Sequence, residues 1–372
     1  MAATLIDNIK ILVNTRDNFP LLKGKALSIL PCIADAYLII EGSQIAEYGS
    51  MKECKHKAGN FAFHIDASGK LILPSWCDSH THLVFAGSRE QEFTDKIKGL
   101  SYEEIAAKGG GILHSAKQLN ETSVDKLFID SYGRLQDVMK LGTGAIEIKS
   151  GYGLSVEGEL KMLRVIGRLK NSVNIPVKVS FLGAHTFPLL YKEDREGYIK
   201  MITEEMLPAI AKDNLADYID VFCEKGFYTP EETERICIAG LQYGLKSKIH
   251  ANQLHISGGV QAGVKLNAIS VDHLESMDDE AIYSLAHSST IGTLLPTAAF
   301  FLRMSFPAAR QMIDAGCAIA LASDFNPGSS PSGNMNFVVA LSCIQMPMLP
   351  EEAINAATIN GAYAMELQKE VG

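Results

Sequence analysis

Five of the ten histidines in this 372-residue chain, His80, His82, His185, His250 and His273, stand where an apolar, strand-like run ends. Imidazole is costly to bury without partners. One such residue reads as a satisfied core histidine; five together read as chemistry. His80 and His82 are one residue apart in DSHTH. Side chains alternate faces along an extended strand, so both rings point the same way. Two imidazoles on one rigid wall are half of a metal site. His250, in KSKIHANQ, is the best third ligand, and Asp324, in AIALASDFNPGSS, the best fourth. His273, in ISVDHLE, can also ligate but is placed here beside the water or the reacting carbonyl. Nitrogen and carboxylate ligands with an open position suit one catalytic Zn²⁺ or Fe²⁺ per chain rather than Ca²⁺ or Mg²⁺. Such an ion lowers the pKa of water from ~15.7 to about 7, which makes a nucleophile at neutral pH.

The elements that must position these residues are apolar runs at 71–82, 142–150, 177–185, 217–224, 246–253, 268–275, 289–296 and 318–325. Helical patterns lie between them, such as VEGELKMLRVIGRLKN with Leu160, Leu163, Ile166 and Leu169 on one face. Near-continuous apolar strands alternating with helices predict a parallel sheet covered by helices. About eight such units over ~250 residues fit a (β/α)₈ barrel, whose chemistry collects at the strand C-termini. A doubly wound open sheet is the alternative. It is disfavoured because no Gly-x-Gly-x-x-Gly follows the first strand, and Gly109-Gly110-Gly111 follows a helix. That triplet reads as a mobile substrate loop. Residues 1–70 carry β-branched runs and a hairpin tip at Glu41-Gly42-Ser43, and predict a small β-sandwich-type domain before a barrel spanning 71–372. His56 and His64 read as surface or satisfied residues. A capped helix pattern begins near Pro350.

Composition bounds the rest. The chain is 47% hydrophobic and 21% charged, with net charge −9, which disfavours a nucleic-acid or anionic-membrane surface. Seven widely spaced cysteines without a Cys-x-x-Cys pair point to reduced thiols and a cytoplasmic setting. No secretory leader precedes the first strand, and no apolar run approaches the roughly 18 residues of a membrane span.

The strand-end pattern resembles the amidohydrolase superfamily and, within it, the imidazolonepropionase family. The stretches that carry the likeness are DSHTHLVFAGSRE, KGLSYEEIAAKGGGI, EIKSGYGL with ELKMLR, FLGAHTFP, HANQL, DHLE and SDFNPGSSP, spanning residue 78 to about 332. The resemblance implies metal-dependent hydrolysis of the cyclic amide of 4-imidazolone-5-propanoate to N-formimidoyl-L-glutamate, in histidine degradation. It also implies a homodimer. The alternative is another cyclic amidase or an aromatic deaminase on the same scaffold. For a small substrate with a propionate tail, Arg89 can hold the carboxylate by a two-pronged hydrogen bond. Tyr152 can reach inward from its Gly-flanked turn, and His185 can bond the ring or its carbonyl oxygen. Backbone N–H groups around Asn326, Gly328 and Ser329 can cradle the carboxylate or the ring oxygen. Catalytic duty then falls on His273, Asp324 and His185. Gln253 stands where some relatives carry glutamate, and an amide cannot titrate, so it orients substrate or water. Asn252 stands where an aspartate is expected. Relatives continue past the last helix and return strands to the small domain. The chain as given stops at Gly372: either it is cut short, in which case the small domain is expected to have an exposed edge and reduced stability, or residues 1–70 complete their sheet another way.

Overall fold

A computed structural model describes residues 3–55, 61–100 and 110–372. His56 and Gly109, the first residue of the predicted substrate loop, lie outside the described residues.

Two sheets organise the chain. The first holds β1 (Ala3–Val13), β2 (Cys32–Glu41), β3 (Gln44–Ser50), β4 (Phe63–Asp66) and β5 (Leu71–Ile72). β2 and β3 form the predicted hairpin, with Gly42 at φ 63° in its turn. β1 pairs β2 antiparallel and takes β4 and β5 in parallel on its other flank, so these residues make one five-stranded sheet. Its two faces carry separate apolar clusters, around Leu5, Tyr37 and Ile39 and around Ile9, Leu12 and Leu38. β3 and β4 are the outer strands, and Phe63 and Ile65 of β4 are largely exposed. His64 is an exposed partner of Asp7, at 2.8 Å.

The second sheet is the barrel. Its strands are β6 (Trp76–Asp78), β7 (Thr143–Lys149), β8 (Val177–Ala184), β9 (Tyr218–Cys223), β10 (Lys246–Ala251), β11 (Ser270–His273), β12 (Ile291–Leu294) and β13 (Ile319–Leu321). All neighbours are parallel and in chain order. All eight predicted runs contain a barrel strand, most of them trimmed by a residue or more. The first differs most. Leu71 and Ile72 pair with β1, and the barrel strand is only Trp76–Asp78. The run spans two sheets although Leu71 is half exposed, because apolar composition does not show which sheet a segment pairs with. Residues 21–28 also depart from the N-terminal sheet. They pack on the barrel, where Gly24 N–H donates to Cys317 O at 3.0 Å and Asn360 Nδ2 to Leu22 O at 2.9 Å.

Closure between β13 and β6 is sparse. Beyond the strand ends one parallel bridge joins Thr81 and Phe325. His82 N–H donates to Phe325 O at 2.9 Å and Asp324 N–H to His80 O at 3.0 Å. The buried Asp78 carboxylate accepts from Ser323 N–H at 2.9 Å and its hydroxyl at 2.6 Å, stitching the seam by side chain. Burial pushes that carboxyl up to about 7.

The covering helices follow local rules. The Val156–Lys170 helix starts at Ser155, whose hydroxyl accepts from Gly158 N–H at 3.1 Å. Glu157 and Glu159 sit in its first turn and Arg168 and Lys170 in its last, complementing the helix dipole. Met162, Leu163, Ile166 and Leu169 face the barrel and are fully buried. The predicted C-terminal helix spans Pro350–Ala357, and Glu352 accepts from Leu349 N–H at 2.8 Å. No helix among the described residues is long and apolar enough to cross a membrane.

Candidate metal centre and active site

His80 and His82 continue the line of β6 inward, and His250 lies within β10. Asp324 follows β13 with φ 52°, a left-handed conformation that L-residues other than Gly, Asn and Asp rarely hold. His273 ends β11 at φ 88° and Leu274 follows at 67°. Strain of this kind at strand ends is typical of sites whose side chains must be aimed.

The ligand atoms converge. Asp324 Oδ1 lies 3.5 Å from His80 Nε2 and 3.6 Å from His82 Nε2, and His82 Nε2 is 3.4 Å from His250 Nε2. A carboxylate cannot donate, so the imidazole Nδ1 must be the donor in two further contacts. His80 Nδ1–H donates to Asp272 Oδ2 at 2.7 Å, and His250 Nδ1–H to Asp220 Oδ1 at 3.0 Å. Those bonds leave both Nε2 lone pairs facing the centre, the arrangement of a carboxylate–histidine–metal site. His80 Nε2 is fully buried without a hydrogen-bond partner among the described residues. Burial, with Lys149 beside His80 and His185 beside His82, holds both rings neutral, well below the usual histidine range. Orphaned, neutral nitrogens crowding one carboxylate fit a divalent cation. His80, His273 and Asp324 form a second close group, so His273 borders the same point.

A cavity of ≈ 610 Å³ opens over this point. Every predicted site residue except the deeper His80 lines it: His82, Arg89, Tyr152, His185, Gln253, His250, His273, Asp324, Asn326, Gly328 and Ser329. A smaller cleft of ≈ 260 Å³ at the opposite barrel end, between Lys178, Asp217 and Lys246, carries mixed charge and none of these groups.

Each wall is positioned by specific bonds. Arg89 holds Glu92 through Nε at 2.8 Å and Nη2 at 2.6 Å, and Glu92 also accepts from Gly111 N–H at 2.9 Å. The Nη1 edge lies over Gly328, where a Cβ would come within 2.1 Å of it, so a side chain there would displace the guanidinium. His185 Nδ1–H donates to Gly151 O at 3.1 Å, and its ring stacks on His82 at 5.2 Å. In that tautomer Nε2 is an acceptor. Burial pushes His185 down to about 3, so it stays neutral. His273 is the opposite case. Burial lowers it, but the Glu275 carboxylate 3.5 Å from Nδ1, with Asp324 and Asp272, outweighs that and raises it.

The Asn326–Ser329 turn corrects one expectation. Gly328 and Ser329 N–H both donate to Asn326 Oδ1 at 2.8 Å. Asn326 Nδ2 donates to Asp324 O at 2.7 Å and to Ser329 Oγ at 2.6 Å, and Ser329 Oγ–H donates to Asp324 Oδ2 at 3.1 Å. These N–H groups are spent inside the turn, which braces Asp324 instead of cradling an anion. Asn252, at φ 54°, accepts from Ser257 N–H at 3.1 Å and so pins the loop that follows β10.

Several positioning acids were not assigned from the sequence. Asp220 and Asp272 orient ligand histidines. Glu224 accepts from Leu254 N–H at 2.9 Å and holds the Gln253 loop. Glu159, fully buried, accepts from Gly151, Gly153 and Leu154 N–H at 3.0, 2.7 and 3.0 Å, fixing the turn that carries Tyr152. Their signal was available: Asp220 and Glu224 repeat at even spacing within an apolar strand, on the parity that faces the barrel axis. Glu159→Gln replaces one accepting oxygen with a donor facing these N–H groups. The expected result is a loss of ~1–3 kcal/mol in stability by denaturant unfolding, with KM rising more than kcat falls as Tyr152 shifts.

A scan against protein-family models finds no match. Sequence comparison finds the imidazolonepropionase of Flavobacterium johnsoniae 56% identical over 371 residues, covering 99% of this chain and 90% of that protein. The imidazolonepropionase of Geobacillus thermodenitrificans is 43% identical over 356 residues, covering 95% and 84%. Among solved structures, a variant of atrazine chlorohydrolase from Arthrobacter aurescens complexed with zinc superposes with TM-score 0.68 at 13% identity, covering 97% of this chain and 83% of that one. Guanine deaminase from C. acetobutylicum superposes with TM-score 0.67 at 18% identity, covering 98% and 86%. At such identities the structural likeness concerns the fold.

Proposed function

The chain belongs to the imidazolonepropionase family, and from that membership we propose how its own residues divide the work. It is a hydrolase that opens the ring of 4-imidazolone-5-propanoate at a C–N bond to give N-formimidoyl-L-glutamate. A divalent ion held by His80, His82, His250 and Asp324 would supply carbonyl polarisation and an acidified water.

The propionate meets Arg89, and the Tyr152 hydroxyl, which feels the Arg89 charge, lies in reach of the same anion. His185, neutral with an accepting Nε2, takes a ring N–H. Gln253 carries no titratable proton and orients the substrate or the water. Asp324 accepts the proton of the attacking water and returns it to the leaving ring nitrogen. Ser329 and the Asn326 turn hold that carboxylate in place. Glu275, 3.5 Å from Nδ1, favours the protonated form of His273, which is assigned as the donor to the oxyanion as charge develops. The opposite shifts of His185 and His273 are what separate an acceptor from a donor at one site.

The approach of His80 and His82 Nε2 to the Asp324 carboxylate, with His250 Nε2 3.4 Å from that of His82, at the floor of the cavity that Arg89 lines, carries this reading. Loss of the imidazolone absorbance, followed with zinc-loaded and iron-loaded protein, tests it. Turnover that stops with a chelator is expected, and turnover untouched by complete metal removal overturns it. The same reading extends to a cytoplasmic homodimer in histidine degradation, in keeping with seven unpaired cysteines. Sedimentation velocity checks the dimer.

The Glu275 assignment yields a signed pH prediction. A donor works below its pKa, and the Glu275 charge raises that of His273. In Glu275→Gln the alkaline limb of the kcat/KM profile moves to lower pH. A limb that stays put removes His273 from the donor role.

A further inference from the structure

The barrel interior beneath the ligand histidines is charged. Glu147 and Lys149 of β7, Asp220 of β9, Lys248 of β10 and Asp272 of β11 are all fully buried. Lys149 Nζ lies 2.6 Å from Glu147 Oε1, 2.7 Å from Asp220 Oδ2 and 3.6 Å from Asp272 Oδ2. Asp220 and Asp272 are the two carboxylates that receive the Nδ1–H of His250 and His80. Among the described residues Lys149 is the one ammonium that touches both. Lys248 is equally buried but meets a different set: Glu147, Ser79 O at 3.0 Å and Ala364 O at 3.2 Å.

Two buried carboxylates on β9 and β11, flanking β10, repel each other unless a cation sits between them. Without one they turn apart or away, and each takes its imidazole with it. We infer that Lys149 is a positioning residue for the metal centre: by bridging Asp220 and Asp272 it sets the spacing and ring orientation of His250 and His80. Lys149 is absent from the cavity wall, so its effect reaches the substrate only through the ligands. The inference rests on the metal-hydrolase reading above.

The test is Zn²⁺ affinity of the metal-stripped protein, measured by competition with a chromophoric chelator. Lys149→Met, which keeps the length and removes the charge, is compared with Lys248→Met and the parent. Orienting partners of metal-bound histidines change affinity by about 10–100-fold, and a loss in that range is expected for Lys149→Met. Lys248→Met loses stability but keeps its Zn²⁺ affinity within about threefold. KM of zinc-saturated Lys149→Met stays within about threefold of the parent. If Lys149→Met does not fold, Lys149→Gln, which retains a donor without the charge, carries the same expectation. Equal Zn²⁺ affinities for the Lys149 and Lys248 variants, or a Lys149 variant that binds as tightly as the parent, overturn the inference. A parent that fails to bind Zn²⁺ stoichiometrically overturns the metal-hydrolase reading instead.

Discussion

Asp324→Asn lowers kcat by about 10³-fold, within the 10²–10⁴ range of a positioned acid–base group. The substitution is isosteric and preserves an oxygen for the Ser329 hydroxyl, so the turn from Asn326 to Ser329 survives. What is lost is the ionised oxygen 3.5 and 3.6 Å from the imidazoles of His80 and His82, just past the first barrel strand. No neighbour can take its place. Gln253 carries an amide, burial pushes His185 down to about 3 so that its Nε2 is a weak base, and His273 already faces Glu275. Stopped-time assays of imidazolone loss, paired with elemental analysis, separate a lost base from a lost metal. Full metal content with kcat within tenfold of the parent would remove Asp324 from proton transfer.

Arg89→Met raises KM and lowers kcat/KM by about 10–150-fold. Hydrogen bonds to a charged group contribute about 1.5–3 kcal/mol, and each 1.4 kcal/mol is tenfold. Because the tail is held alike in ground and transition states, most of the change falls on KM. Glu92 loses its guanidinium partner in this variant, so Arg89→Met/Glu92→Gln serves as the control for local repacking. A substrate analogue without the propionate supplies the decisive comparison. If Arg89→Met slows that analogue as much as the natural substrate, the arginine does not read the tail.

The centre of this site was legible because metal chemistry uses few residue types. The His-x-His pair, His250 and Asp324 each ended a recognisable apolar run; His80 and His82 lie beside Asp324, and His250 beside His82. The supporting acids were harder to see. Asp220 in DYIDVFC and Asp272 in SVDH look like ordinary polar residues until the strands close into a ring and their even-numbered positions face one another. Glu159 read as part of a helix, since its partners are main-chain N–H groups that composition does not display. The split of residues 71–78 between two sheets was missed for a related reason, because an apolar run shows a strand but not the neighbour it pairs with. The Asn326 turn was misread because a Pro-Gly sequence announces a turn without saying whose oxygen its N–H groups will meet.

The seam between β13 and β6 has a wider consequence. A ring of parallel strands resists opening wherever its ladder is complete, and here one join is mostly bare. His80 and His82 stand on one bank of that gap and Asp324 on the other. An ion held by all three would buckle the hoop at its weakest link. Amide hydrogens near Thr81 and Phe325 would then trade with solvent slowly in the loaded enzyme and quickly in the stripped one, and the same event that arms the catalyst would fasten the scaffold.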